Sequence, residues 1–142
     1  MSYSLYQEAA VSGDLAVTGG LKAVQRLAEQ IVLAAAECEV NPREVFQVQM
    51  ALDEALTNAV KHGNGDDSKK AVYVVYEVGH EGVSLTIRDE GEGFDHGSVS
   101  DPTSTEGLDQ EAGRGIYLMR TFMDSVAYTE TGNSVTLVKR WS

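Results

Sequence analysis

Two glycine clusters and one helix face hold the residues of this chain whose types and spacing suit chemistry. In "AGRGIYLMRTFMD", Gly113, Arg114 and Gly115 lead into a run whose apolar residues Ile116, Leu118, Met119, Phe122 and Met123 have helical spacing. A glycine-rich lead-in leaves backbone N–H groups free at the positive end of a helix, which is an anion site, and Arg114 adds a cation. In "LTIRDEGEGFDHG" a strand gives way after Arg88 to Asp89, Glu90, Gly91, Glu92, Gly93, Phe94 and Asp95, four carboxylates in seven residues. The interleaved glycines let the backbone turn sharply or come close to a ligand. In "DEALTNAVKHG", Glu54, Asn58 and Lys61 fall at i, i+4 and i+7 with His62 beside them, so their side chains share a helix face. Taken singly, each piece also has a plain structural reading: a helix start without a ligand, an acidic turn, a solvated polar ladder.

Better-known loops do not fit. An EF-hand counted from Asp89 puts Gly91 and Gly93 where oxygen ligands belong, Phe94 at the turn glycine and Ser100 at the closing Glu. No Walker G-x-x-x-x-G-K-[ST] run is present. "GEGFDHG" lacks the Rossmann glycine spacing, and the strand before it comes too late for a first βα unit. Nothing fixes a pair of acids around a saccharide.

The elements that must position these residues follow from periodicity. Residues 3–11 read as a short first strand. Leu21, Val24, Leu27, Ala28, Ile31, Val32 and Ala35 predict a helix over about 19–39. A second helix starts at Asn41 as N-cap with Pro42 in its first position and closes at Gly63 as C-cap. Its apolar stripe is Val45, Val48, Leu52, Ala55, Leu56 and Ala59. Strands "KAVYVVYEVG" and "GVSLTIRD" precede the acidic loop; the helix "GIYLMRTFMD" and strands "SVAYTET" and "NSVTLVKRW", joined at Gly132-Asn133, follow it. Helices early and hairpins late predict an α+β fold, a two-layer α/β sandwich with helices on one face of a mixed, mostly antiparallel sheet.

Composition narrows the function classes. The 142 residues suit a single domain, 1–142, with 42% hydrophobic residues. No segment resembles a membrane span or a signal peptide, so a cytoplasmic location is expected. The single Cys38 rules out an internal disulfide or a multi-cysteine metal site. A net charge of −11 argues against nucleic-acid binding. A bound polyphosphate is still allowed, because a metal ion and local donors can hold it against the global field.

In order along the chain, the E-x-x-x-N helix, the D-x-G-x-G-F strand end and the G-x-G helix start resemble the three boxes of the gyrase, heat-shock chaperone, histidine kinase and MutL superfamily of ATPases. Within it, "DEALTNAVKHG", "DEGEGFD" and "GRGIYLMRTFMD" look like the bacterial anti-sigma factor serine/threonine kinases, over residues 15–140. The resemblance implies a histidine kinase-like (Bergerat) fold that uses ATP and Mg²⁺. By the same resemblance, Asp89 would accept a hydrogen bond from the adenine amino group, so the acidic loop need not meet phosphate. Gly91 and Gly93, followed by Phe94, would pass under the base and ribose. Asn58 would hold Mg²⁺ and Glu54 would be the general base. Gly113, Arg114, Gly115 and Ile116 would cradle the phosphates, with Lys61 and Arg114 as cationic contacts. Residues 95–112 would form a lid, suited by their Gly, Ser, Thr and Pro content. One position departs from the pattern: Asn133 in "GNSV" stands where relatives often carry an adenine-binding Thr. The resemblance further implies phosphorylation of a Ser or Thr on a small STAS-type anti-sigma factor antagonist, capture of a sigma factor, and a homodimer built on residues 3–36. Two other readings stand beside it: a nucleotide-dependent partner-switching module without kinase activity, and a stand-alone sensor-kinase ATPase domain, disfavoured because no His-bearing dimerisation helix comes before it.

Overall fold

The computed structural model describes residues 9–92 and 110–142, with side chains from Val11 to Glu92 and from Gly113 to Ser142. The elements run β1 (Ala9–Val17), α1 (Gly20–Ala36), α2 (Pro42–Asn58), a π-helical turn (Ala59–Gly63), β2 (Val72–Gly79), β3 (Gly82–Arg88), α3 (Gln110–Phe122), β4 (Ser125–Tyr128) and β5 (Ser134–Arg140). The α+β class is as expected from the sequence.

The sheet has the order β1-β2-β3-β5-β4, and each neighbouring pair is antiparallel. The expected mixed sheet is corrected on this point. The two helices between β1 and β2 run out and back, so β2 returns antiparallel. The single helix α3 does bring β4 back parallel to β3, but β5 lies between them. Strand alternation buries Val74, Val78, Leu85, Ile87, Val135 and Leu137. They form one core with Val24 and Ile31 of α1, Val48, Leu52 and Leu56 of α2, and Ile116 and Met119 of α3. Each such side chain contributes about 1.5–3 kcal/mol by leaving water. The other face is fastened by cross-strand pairs: the Thr86 and Thr136 hydroxyls meet at 3.0 Å, and the Arg88 guanidinium lies 4.0 Å from the centre of the Tyr73 ring.

Several boundaries differ from expectation. The sequence predicts the first strand at 3–11; it occupies Ala9–Val17, and residues 3–8 lie outside the described part. β1 is an edge strand that runs through Gly13, where its partner Tyr76 lays its ring over the missing side chain: a Cβ on Gly13 would stand 2.6 Å from Tyr76 Cζ. The first helix is shorter than 19–39, because Gly19 (φ 108°) and Gly20 (φ 75°) make the turn out of β1 and the helix ends at Ala36. The third helix begins at Gln110, so Gly113 and Gly115 lie inside it rather than at its start. The expected caps of α2 hold at its N-terminus, where the Asn41 side chain accepts the Arg43 N–H at 2.9 Å and Pro42 follows.

The C-terminal residues are tied back onto the fold. The Trp141 indole N–H donates to the Gly79 carbonyl at 2.9 Å and its backbone N–H to the Glu81 carbonyl at 2.9 Å. The Ser142 N–H donates to Glu44 Oε1 at 3.0 Å; Glu44 Oε2 is the buried side-chain oxygen left without a partner among the described residues. No described helix is long and apolar enough to cross a membrane. Trp141→Ala should lower unfolding free energy by about 2 kcal/mol, from lost packing and one lost hydrogen bond. Trp141→Phe, which keeps an aromatic ring but no N–H, should lose about half of that. Urea unfolding followed by circular dichroism measures both.

Candidate functional site

The sequence-predicted residues meet where α2 ends. Glu54 and Asn58 lie one turn apart on α2, both half-buried. Across from them α3 presents Gly115, whose Cβ, if it had one, would stand 2.6 Å from Glu54 Oε2 and 3.4 Å from Asn58 Nδ2. The absent side chain lets two helices approach until a carboxylate and an amide line the contact. Glycine inside a helix costs about 1 kcal/mol relative to alanine, and the packing of α3 on α2 offsets it.

A second close contact joins α2 to the acidic loop. After Asn58 the helix widens into the π turn, and the Asn64 N–H reaches back five residues to the Ala59 carbonyl at 2.8 Å. The expected C-cap Gly63 is the last residue of this turn, and Asp89 packs on its Cα: a Cβ on Gly63 would come 2.7 Å from Asp89 Cβ. Gly91 lies against the Gly63 carbonyl in the same way. The Asp89 N–H donates to the Asn133 carbonyl at 3.0 Å, and Asp89 Oδ1 accepts the Gly91 N–H at 2.7 Å. Asp89 is only 8% exposed. Burial pushes its carboxyl above the usual range, against the opposing pull of the Gly91 N–H and of Arg88 and Lys70. Tyr128 is affected in turn: burial holds its phenol well above its ordinary value, the Asp89 charge adds to this, and Arg120 opposes it.

Other predicted residues fall less simply. Lys61 is exposed in the π turn instead of continuing an α-helical ladder from Glu54 and Asn58. Gly113 and Ile116 are buried within α3 and Arg114 is exposed, so the N–H groups of this stretch belong to the helical ladder and are not free at its start. The reading of Gly113–Ile116 as the helix lead-in is corrected accordingly, and Gln110–Ala112, expected in the lid, are helical. Gly93, Phe94 and lid residues 95–109 lie outside the described residues. Asn133 touches the site through its main chain; its Oδ1 accepts the Thr131 hydroxyl at 2.8 Å within the β4–β5 turn. Sequence reasoning missed Asn64, Glu90 and Tyr128; "HGNG" signalled a turn but not a buried amide.

Among the described residues no three His, Cys, Asp or Glu side chains gather as a metal cage. The Glu54–Asn58 pair fits Mg²⁺ in another way. That ion commonly takes few protein oxygens and completes its shell with water and substrate phosphates, and the Asn58 side-chain amide, beside the Glu54 carboxylate at the contact with Gly115, carries an oxygen of that kind. A groove between α1 and α2, lined by Gln25, Glu29, Val32, Leu33, Gln49 and Asp53, contains none of the predicted site residues.

Comparison with known proteins bears on the fold as a whole. Residues 17–139 match the family profile described as the histidine kinase-like ATPase domain. Over 103 residues the chain is 32% identical to the serine-protein kinase RsbW of Bacillus velezensis, covering 68% of this chain and 64% of that protein. Over 104 residues it is 28% identical to the serine-protein kinase RsbW of Staphylococcus aureus, covering 68% and 65%. Over 117 residues it is 31% identical to the anti-sigma F factor of Anoxybacillus flavithermus, covering 78% and 80%. The match thus spans just under two thirds of the length of the two serine-protein kinases.

The raised Asp89 carboxyl has a stability consequence. A carboxyl whose pKa is higher folded than unfolded penalises the native state at pH values above the folded pKa. The penalty vanishes as pH falls below the unfolded value. Asp89→Asn keeps an oxygen for the Gly91 N–H and removes the charge. It should raise the Tm of the nucleotide-free protein at pH 7, with the gain fading toward pH 4. Thermal scans of both proteins across this range measure it.

Proposed function

The chain belongs to the histidine kinase-like ATPase family, and from that premise we propose that it binds ATP with Mg²⁺, transfers the γ-phosphoryl group to a Ser or Thr of a small STAS-type anti-sigma factor antagonist, and sequesters a sigma factor. The observation that carries this reading is the convergence at the end of α2: Gly115 against Glu54 and Asn58, and Gly63 against Asp89. The names of the relatives, a serine-protein kinase and an anti-sigma F factor, support it.

In this proposal the buried Asp89 accepts the adenine amino hydrogen, with Gly91 and Gly93 under the base and Phe94 beside them. The polyphosphate runs toward Gly115, with Arg114, Lys61 and the Gly113–Ile116 segment of α3 around it. Asn58 holds Mg²⁺, which when bound neutralises phosphate charge. Glu54 accepts the proton of the attacking hydroxyl as its oxygen bonds to the γ-phosphorus and the bond from the γ-phosphorus to the β,γ-bridging oxygen breaks, leaving ADP. Such a transfer needs positioning and charge neutralisation more than covalent chemistry. A cytoplasmic site of action belongs to the same proposal.

Glu54 and Asn58 should separate catalysis from binding. Glu54→Gln should leave ATP affinity nearly unchanged and slow transfer by about 10²–10⁴-fold, the usual scale of general-base catalysis. Asn58→Ala should remove the magnesium-dependent part of ATP affinity and transfer together. Calorimetry and a single-turnover transfer assay test the pair. Glu54→Gln transferring at the wild-type rate removes Glu54 from the role of base; a wild type that transfers to no antagonist makes the partner-switching module the better reading.

Self-association is part of the proposal. Leu15, on edge strand β1, is 42% exposed and offers apolar surface to a second copy. Sedimentation at micromolar concentration should give twice the 15.3 kDa chain mass; a monomer mass would refute it.

A further inference from the structure

A closed ring of hydrogen bonds lies beside Asp89. The Glu90 N–H donates to Asn64 Oδ1 at 2.8 Å, and Asn64 Nδ2 donates to the Ala71 carbonyl at 3.0 Å. The ring closes where the Ala71 N–H donates to Glu90 Oε2. It joins the residue after the π turn, the residue before β2 and the loop after β3. Asn64 is 4% exposed, while Glu90 lies at the surface. A buried amide with both ends engaged is fixed in orientation, because leaving either end unpaired would carry its full desolvation cost.

Position explains why the ring matters. Three successive backbone N–H groups are taken: that of Asp89 by Asn133, that of Glu90 by Asn64 and that of Gly91 by Asp89 itself. Without the middle one, the loop pivots about Asp89 and the carboxylate turns with it. The π turn supplies the amide: its five-residue reach to Ala59 brings Asn64 inward at the point where Gly63 touches Asp89.

We propose that Asn64 and Glu90 are positioning residues that set base specificity at the nucleotide site, acting through Asp89. The inference rests on the nucleotide-binding reading above and adds what determines its selectivity. An ionised carboxylate only accepts hydrogen bonds, so it attracts an exocyclic amino group and repels a carbonyl at the same place. This discrimination depends on orientation. A loosened loop loses the attraction for adenine and relaxes the repulsion of guanine together, so the ATP-to-GTP affinity ratio changes more than either affinity does. The Glu54–Asn58–Gly115 contact lies on α2 and α3, outside the ring.

The test is calorimetric titration of ATP and GTP, each with Mg²⁺, into the wild type, Glu90→Ala, Glu90→Gln, Asn64→Ala and the Asn64→Ala/Glu90→Ala double variant. Asp89→Ala serves as the full-loss reference. Glu90→Ala changes a surface residue, so the fold persists; it should narrow the ATP-to-GTP affinity ratio about three- to tenfold, the scale of one hydrogen bond. Glu90→Gln keeps an oxygen for the Ala71 N–H and should restore the ratio. Asn64→Ala should narrow it at least as far, and the double variant no further than Asn64→Ala, because both act through one ring. A purely structural role would lower Tm and leave the ratio of the folded fraction unchanged, and that result overturns the proposal. If Asn64→Ala fails to fold, Glu90→Ala with its Gln rescue decides alone. A wild type that binds neither nucleotide overturns the nucleotide-binding reading and this inference with it, whereas a wild type that prefers ATP beside a Glu90→Ala variant with the same preference overturns this inference only.

Discussion

A carboxylate kept out of water is costly unless something fixed receives it, and Asp89 is the group around which this fold solves that problem. Burial raises its pKa despite an N–H at Oδ1 and the nearby charges of Arg88 and Lys70. The fold tolerates the cost by holding the main chain on both sides, through Asn133 on β5 and Asn64 beyond the π turn. A carboxylate held in this way is a pre-organised acceptor, with little left to reorganise when a donor arrives. Sites of this kind commonly trade stability for function.

The same economy of space appears where α2 ends. Gly115 and Gly63 bring two neighbours to distances that any larger residue would forbid. One contact places an acid and an amide beside α3; the other seats the acidic loop on the π turn. A helix that stayed α-helical through Gly63 would present a different face to Asp89. The π turn, a rare form often found at functional sites, is therefore part of the construction.

The sheet and core supply rigidity for these contacts. Asp89 follows directly on β3, a central strand paired on both sides, with Leu85 and Ile87 buried. Asn58 ends a helix whose other face is packed through Val48, Leu52 and Leu56. Functional side chains thus stand at the ends of well-packed elements, where geometry is held most firmly.

The sequence by itself determined the α+β class, the order of helices and hairpins, and the N-cap of α2, because these depend on local periodicity and capping chemistry. It also singled out Glu54, Asn58, Asp89 and the Gly113–Gly115 cluster, since carboxylates, amides and glycines at those spacings are uncommon together. Other features depend on partners distant in sequence. The packing of the Tyr76 ring over Gly13 across the sheet is one of them. Gly113 and Gly115 read as a helix start, yet both lie inside α3, where Gly115 packs on α2. The antiparallel pairing of β1 with β2 and of β3 with β5 depended on how many helices intervene and on β5 lying between β3 and β4. The π turn and the Asn64 ring were invisible for the same reason: one extra residue per turn and an amide bridging positions 64, 71 and 90 leave no periodic trace, and only the packed fold brings them together.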